Sequence, residues 1–316
     1  MSEDAVTEIW TMGELLVEVM RPEPDLPLGR RGPFLGPYPS GAPGIFIDTV
    51  ARLGHSGGII SGVGDDDFGR LILDRLAADG VRVDHVEVVP GRSTGVAFVA
   101  YAADGSRSFI FHWAGTPAVM AAVPPSDLAV GPRFLHIMGC SLMADRPFAE
   151  RIAETVARFV GRGARISLDP NVRVELLAGG QLGDVLEPVL RASSVLLPGE
   201  AELRLLAGSD DLDEAAATMM RRYEPELLVV KRGRRGCAVY DGQGRIAIPA
   251  FDVDEVDPTG AGDCFDAGFL CGLLEGMAPA EAARFAAATG ALAASALGPM
   301  EGPVDRASVD ALLARS

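Results

Sequence analysis

Residues 257–270 read DPTGAGDCFDAGFL. Small and backbone-permissive residues lead to Asp263, and an apolar, helix-like run follows it. Gly260, Ala261 and Gly262 leave their amide N–H groups unobstructed at a helix N-terminus, where the positive end of the helix dipole adds to them. Such a cradle can hold negative charge that develops on phosphate oxygens. Asp263, in the first turn, can accept the proton of an attacking hydroxyl. Phosphoryl transfer asks for positioning, charge neutralisation and an oriented nucleophile, and this loop can supply all three. The same residues also suit a plain helix cap with close strand–helix packing, and GxGD alone does not separate the two readings.

A turn of this kind needs a scaffold. The chain has 316 residues, 48% hydrophobic and 23% charged, enough for a large core in one or two domains of an ordinary soluble protein. The net charge of −16 argues against nucleic-acid or membrane-surface partners, which need clustered positive charge. A local positive site for an anionic substrate stays open. The acidic start MSEDAVTEIW has no basic region followed by an apolar stretch, and no apolar run is long enough to span a bilayer. Cys140, Cys237, Cys264 and Cys271 form no CxxC pair and are expected as reduced core residues of a cytoplasmic protein. The histidines are scattered without HExxH, so no zinc site is expected.

EIWTMG predicts a strand ending near Gly13 and Glu14, and a second extended piece follows. Residues 21–39, rich in Pro, Gly and Arg, predict a loop or small excursion. Helical spacing with a glycine stop marks 41–54 and 67–80, with the apolar strand GGIISGVG between them. VRVDHVEVV, TGVAFVAYA and RSFIFHW, the last two joined by the turn ADGS, predict an inserted patch of antiparallel sheet. Strands and helices then alternate, and the last third is mostly helical. This predicts an α/β fold, a mainly parallel sheet with helices on both faces and ligands at the carboxyl ends of its strands.

Every position of DPTGAGDCFDAGFL fits the second signature of the ribokinase-like (PfkB) family of carbohydrate kinases. The chain resembles the fructokinase, tagatose kinase and 2-keto-3-deoxygluconate kinase branch. The resemblance implies a three-layer ribokinase-like fold with a small β-sheet lid, one kinase domain over 1–316 and a lid sub-domain from about 15–39 and 87–113. It implies Asp263 as catalytic base, Gly260, Ala261 and Gly262 as anion hole, ATP and Mg2+ as cofactors, and in some members a monovalent cation such as K+ near Asp257. KRGRRG (231–236) is similar to a K/T-x-G-x-x-G segment beside the nucleotide phosphates. There Lys231 would neutralise charge and Gly233 and Gly236 would admit close backbone approach, with Thr259, Gly260 and Gly262 also at the nucleotide. A hairpin turn is the plain alternative.

LDPNVR (168–173) matches a D-x-N-x-R segment in which Arg173 would face the substrate or the transferring phosphate. Otherwise Asp169 or Asn171 caps a strand-end turn. In LLPGEAE, Glu202 takes the acid position of an N-x-x-E region associated with magnesium, or is a solvated helix residue; Gly199 replaces the usual Asn. PSGAPGIFIDTVARLG is similar to a G-G-A-P-A-N-V-A segment that implies substrate contacts at Gly41 and Ala42. Ser40 departs from its first Gly, and Ile45 stands where a substrate-binding Asn is common. In GELLVEVM, which carries Glu14 and Glu18, the position of Glu18 implies an acid gripping two sugar hydroxyls; a solvent-facing strand residue is the alternative.

The segment 96–113 is expected in the lid over the sugar. Kinases of 2-keto-3-deoxygluconate carry a Tyr-x-Arg-type element there, whereas FIFHWAGTPA holds Phe111 and Trp113 and no arginine, with Arg107 earlier near the turn. A buried carboxylate without a positive partner is costly. A neutral sugar is therefore expected, with Trp113 against its apolar face, or else in lid packing or a subunit contact; the resemblance implies a ketohexose, fructose- or tagatose-like. The sugar acid is the alternative through Arg173. A homodimer through the lid is expected. A nucleoside kinase and a non-catalytic sugar-binding protein are other readings of the same scaffold. No GxxxxGK[ST] occurs, and GVGDDDFG is a dinucleotide fingerprint spoiled by consecutive acids.

Overall fold

A strand that leads into a helix cannot return antiparallel by a tight turn, so alternating elements build a parallel sheet. The structure, a computed structural model, describes residues 7–103, 107–128, 131–173, 176, 182–242 and 244–315. Residues 104–106 of the expected ADGS turn and the first six residues lie outside the described residues. In chain order the elements are β1 (Ile9–Met12), β2 (Leu16–Met20), β3 (Leu35–Ser40), α1 (Ala42–Arg52), β4 (Gly57–Gly64), α2 (Asp67–Ala78), β5 (Val86–Val89), β6 (Gly95–Tyr101) and β7 (Arg107–His112). Then come β8 (Phe134–Met138), α3 (Gly139–Met143), α4 (Arg146–Val160), β9 (Arg165–Asp169), α5 (Leu182–Ala192), β10 (Ser193–Leu196), α6 (Glu200–Ala207) and α7 (Leu212–Tyr223). The chain ends with β11 (Leu227–Lys231), β12 (Cys237–Asp241), β13 (Gly244–Ile248), α8 (Ala261–Leu274), α9 (Pro279–Ala293) and α10 (Arg306–Leu313).

The large sheet runs β13-β12-β11-β10-β9-β8-β1-β4-β5. It is parallel from β11 to β5, and the β12–β13 hairpin closes one edge antiparallel. Side chains alternate across it: Leu227 and Val229 join one apolar layer with α1, α8 and α9, while Leu228 and Val230 join the other with α4, α5 and α7. Helices on both faces make the expected three layers.

A second sheet, β3-β2-β6-β7, forms the small lid. One expectation about it needs correction. Val86–Val89 does not belong to it but pairs parallel with β4 at the edge of the large sheet, because α2 carries the chain back as a crossover. Within 15–39, expected in the lid, Leu35–Ser40 pairs antiparallel with β2 at the lid's edge, where Pro37 and Pro39 forfeit no essential ladder bond. The lid is also mixed, since β2 and β6 run parallel. All four cysteines are free and buried. Among the described residues no helix is long and apolar enough to cross a membrane.

The helix α8 is apolar on all sides, and Asp263 to Gly272 are buried without a break, as a helix inside a core should be. Gly268 and Gly272 lie one turn apart and let α9 close in. A Cβ on Gly268 would meet Ala286 Cα at 3.0 Å, and one on Gly272 would meet Ala282 Cα at 3.0 Å. This packing fixes the helix whose first turn carries Asp263.

Candidate active site

The turn before α8 is set by Gly260, in the left-handed region at φ 78°. Asp257 anchors the approach by accepting bonds from Thr259 N at 3.0 Å, Gly298 N at 3.0 Å and the Tyr101 hydroxyl at 2.8 Å. Tyr101 is the last residue of β6 and its hydroxyl also contacts Thr259 Oγ1, so the lid is latched onto the loop. Consecutive residues of the turn serve different spaces. Ala261 and Gly262 line a cavity of about 350 Å³, while Gly260 and Asp263 line a smaller one of about 70 Å³. The helix N-terminus is thus a partition between two sites.

The larger cavity is walled by Gly233, Gly236, Phe251, Val253, Phe265 and Ala287, with Lys231 at its lining. Gly236 must be glycine: its φ is 78°, and a Cβ there would lie 2.0 Å from Ile248 O. Lys231, expected as a free phosphate counter-charge, is already paired. Its ammonium donates to Asp169 at 2.8 Å and to Asp266 at 3.0 Å. Burial works against its charge, but the neighbouring Asp169 and Asp266 raise its pKa well above the ordinary lysine value. Lys231 therefore fixes the end of β9 against α8, close under the turn; a Cβ on Gly262 would stand 3.7 Å from its Nζ.

The smaller cavity is lined from the large sheet side by Glu14, Cys140, Asn171 and Arg173, each just beyond the carboxyl end of a strand, and from α1 by Gly41, Ala42 and Ile45. Glu18, Ala97, Phe109, Phe111 and Trp113 close it from the lid. Glu18 is 4% exposed, accepts a bond from Ser40 Oγ at 3.3 Å, and keeps Oε1 without a partner among the described residues. Trp113 is 2% exposed and its Nε1 is likewise unpartnered. Glu14 accepts from the Ser141 hydroxyl at 2.5 Å and the Cys140 thiol at 3.3 Å. Burial pushes Glu14 and Glu18 up to about 7. Asp263 is also pushed up to about 7, chiefly by burial and then by the nearby Asp169 charge, against the pull of Lys231, Arg173 and Arg107.

The sequence-predicted residues divide between these spaces. Glu18, Gly41, Ala42, Trp113, Arg173, Thr259, Gly260 and Asp263 meet at the smaller cavity, and Lys231, Gly233, Gly236, Ala261 and Gly262 at the larger. Thr259 and Gly260, both expected beside the nucleotide, line the smaller cavity instead. Glu202 lines neither cavity. Its carboxylate accepts the amides of Gly199 and Val172, both at 2.7 Å, and so ties α6 to the turn after β9. Burial raises its pKa, with Asp169 adding to the effect.

FIFHWAGTPA holds no arginine, but Arg107, expected to lie off near the turn, lines the smaller cavity. Arg107 pairs with Tyr101 across the hairpin, and Tyr101 touches the 257–262 loop, so Arg107 reaches the cavity wall. Arg107 and Arg173 lie 5.8 and 5.9 Å from the Phe109 ring centroid. Tyr101, Phe109 and Asp169 were missed as site residues, since only strand pairing brings them in. Asp266 had a local signal, standing one turn after Asp263 on the same helix face.

A family model described as pfkB family carbohydrate kinase matches residues 11–306. The fructokinase of Klebsiella pneumoniae is 35% identical over 308 residues, covering 93% of this chain and 95% of that protein. An Escherichia coli protein solved in complex with ATP and Mg2+ superposes with a TM-score of 0.91 at 36% identity, covering 98% of this chain and 100% of the other. A fructokinase double mutant from Vibrio cholerae, solved with fructose, ADP and potassium ion, has a TM-score of 0.81 at 25% identity over 99% of this chain and 100% of its own. This chain belongs to the pfkB family of carbohydrate kinases, phosphotransferases with an alcohol group as acceptor.

Proposed function

We propose that this protein transfers the γ-phosphoryl group of ATP to a primary hydroxyl of a ketohexose. The observation that carries this reading is the partition at Gly260–Asp263, where Ala261 and Gly262 line the larger cavity and Asp263 lines the smaller. In the reaction the sugar hydroxyl gives its proton to Asp263 as its oxygen bonds to the γ-phosphorus. The bond from that phosphorus to the β–γ bridging oxygen breaks, and ADP leaves. The amides of Gly260 to Gly262 and the Arg173 guanidinium hold the charge spread over the transferring group. Glu18, with its free oxygen, and the Trp113 wall orient the sugar, and the closed lid excludes water as a competing acceptor.

Magnesium is held by phosphate oxygens, waters and one or two carboxylates rather than by a protein cage. Glu202, the acid expected beside it, lines neither cavity and already accepts the amides of Gly199 and Val172, so it braces the turn after β9. The ion, when bound, would supply charge neutralisation at the phosphates. A monovalent cation such as the potassium of the Vibrio structure would belong near Asp257, whose side chain already accepts three protein bonds.

The three acids Glu14, Glu18 and Asp263 on the acceptor wall favour a neutral sugar, since a further carboxylate would meet them. The presence of Arg107 and Arg173 on that wall supports a second reading, a 2-keto-3-deoxy sugar acid. An ADP-release screen over ketoses, aldoses and such sugar acids separates them. Ketohexose turnover is expected, and turnover of the sugar acid alone would overturn the neutral-sugar reading. Because Asp263 must be ionised to accept the proton and is held near 7, kcat/KM for the sugar is expected to drop about tenfold per pH unit below about 7. A flat profile down to about pH 5 would contradict that base. Phe34 and Ile110 are exposed on the lid, which supports dimerisation through this sheet. Size-exclusion mass measurement of Ile110→Glu beside the parent chain tests it.

A further inference from the structure

Asn171 stands between the proposed base and the ion cluster behind it, and it is strained there. Its backbone is left-handed at φ 38°, uncommon for a residue with a side chain though tolerated by Asn. Its amide N–H is fixed by Asp169 Oδ1 at 3.0 Å. The side-chain Nδ2 donates to Asp263 Oδ1 at 3.3 Å and to Asp169 Oδ2 at 3.3 Å. A flipped amide would set its carbonyl against two carboxylates, so the chemistry fixes the orientation. The opposite atom, Oδ1, is buried with no partner among the described residues, an arrangement that packing alone would not favour.

Resting on the assignment of Asp263 as base, we infer that Asn171 is a positioning residue. Its amide pins Asp263 Oδ1 and leaves Oδ2 for the incoming hydroxyl. The amide is in turn aimed by Asp169, which Lys231 and Asp266 hold in place. The left-handed backbone is the means of turning the amide toward Asp263 at the end of β9. Other groups acting on Asp263 are Asp169, Lys231, Arg173 and Arg107, and its charge is felt in turn by Glu18, Cys140 and Cys264. None of these replaces the Asn171 donor, since no other hydrogen bond to the Asp263 carboxylate occurs among the described residues.

The test is the pH dependence of sugar phosphorylation by Asn171→Gly and Asn171→Asp, with Asp263→Asn alongside. Glycine keeps the left-handed backbone and removes only the amide. It is expected to lower kcat about 10- to 100-fold, the worth of a hydrogen bond to a charged group, with KM for ATP unchanged. The acid limb of kcat/KM should move up by about one pH unit, because the ionised base loses a donor. Asn171→Asp keeps the shape but adds a third acid, and its limb should move further up. A wild-type kcat and limb in Asn171→Gly would show that only the backbone matters and would overturn the inference. Should that variant melt early, an unmoved limb in Asn171→Asp overturns it equally. Activity in Asp263→Asn would instead sink the assignment of the base itself.

Discussion

Asp263→Asn is expected to lose about 10²- to 10⁴-fold in kcat, the range of a general base, while ATP binding measured by titration calorimetry stays near the parent value. The amide has the carboxylate's shape but cannot accept the hydroxyl proton. Nothing in the larger cavity changes, because Asp263 lines only the smaller one. The same substitution should make the protein more stable. Burial has raised the pKa of Asp263 from 3.8 to about 7, so the folded state binds a proton more tightly than the unfolded chain does. The stability associated with the protonated group is full below about pH 4 and is lost as pH rises through 7. Above pH 7 the folded protein carries an ionised buried acid that the Asn variant lacks. The variant's melting temperature should therefore exceed the parent's at pH 8, and the gap should close toward pH 4. A less active and more stable enzyme is the signature of a site acid kept for chemistry. Near-normal phosphorylation by this variant would refute the base, whatever its stability.

The contrast between Asp263 and Lys231 shows how far the sequence could be read. Asp263 was legible because its setting is local: the glycine turn, the helix start and the acid lie within a few residues. Lys231 was legible as a strand end beside a glycine turn, but not as half of an ion cluster. Its partner Asp169 arrives from another strand, 62 residues away in the chain. The three-layer sheet followed from the alternation of elements, and the lid from the change of pattern after residue 81. The lid's membership did not follow, since Val86–Val89 looks like its neighbours and only the α2 crossover sends it to the large sheet. For the same reason Arg107 was set too far from the sugar: hairpin register against Tyr101 decides its place, and spacing does not encode the Tyr101–Asp257 bond.

Gly260→Ala is expected to cost about 100-fold in kcat, because the turn it distorts carries both the amides and the base. A Cβ at Gly260 would stand 2.6 Å from Pro299 O and 3.1 Å from Ile45 Cγ2. A backbone carbonyl cannot swing aside as a flexible side chain does, and this one lies in a braced segment. Arg52 holds Met300 O at 2.9 Å and Gly302 O at 2.7 Å, Arg75 holds Met300 O at 2.6 Å, and Gly298 N is bound to Asp257 at 3.0 Å. The 257–262 loop is therefore the part that yields, and it takes the proposed anion hole with it. The substitution also forces a Cβ into a left-handed residue at φ 78°, worth about 1–2 kcal/mol of stability by itself. Gly276→Ala separates the two effects. Gly276 has φ 80° and nothing within 4 Å of its would-be Cβ, at the far end of α8. It should lose stability from the backbone strain and keep its kcat. If Gly260→Ala behaved in the same way, losing melting temperature alone, the amides of this turn would have no part in the reaction, and the partition between the cavities would be packing rather than chemistry.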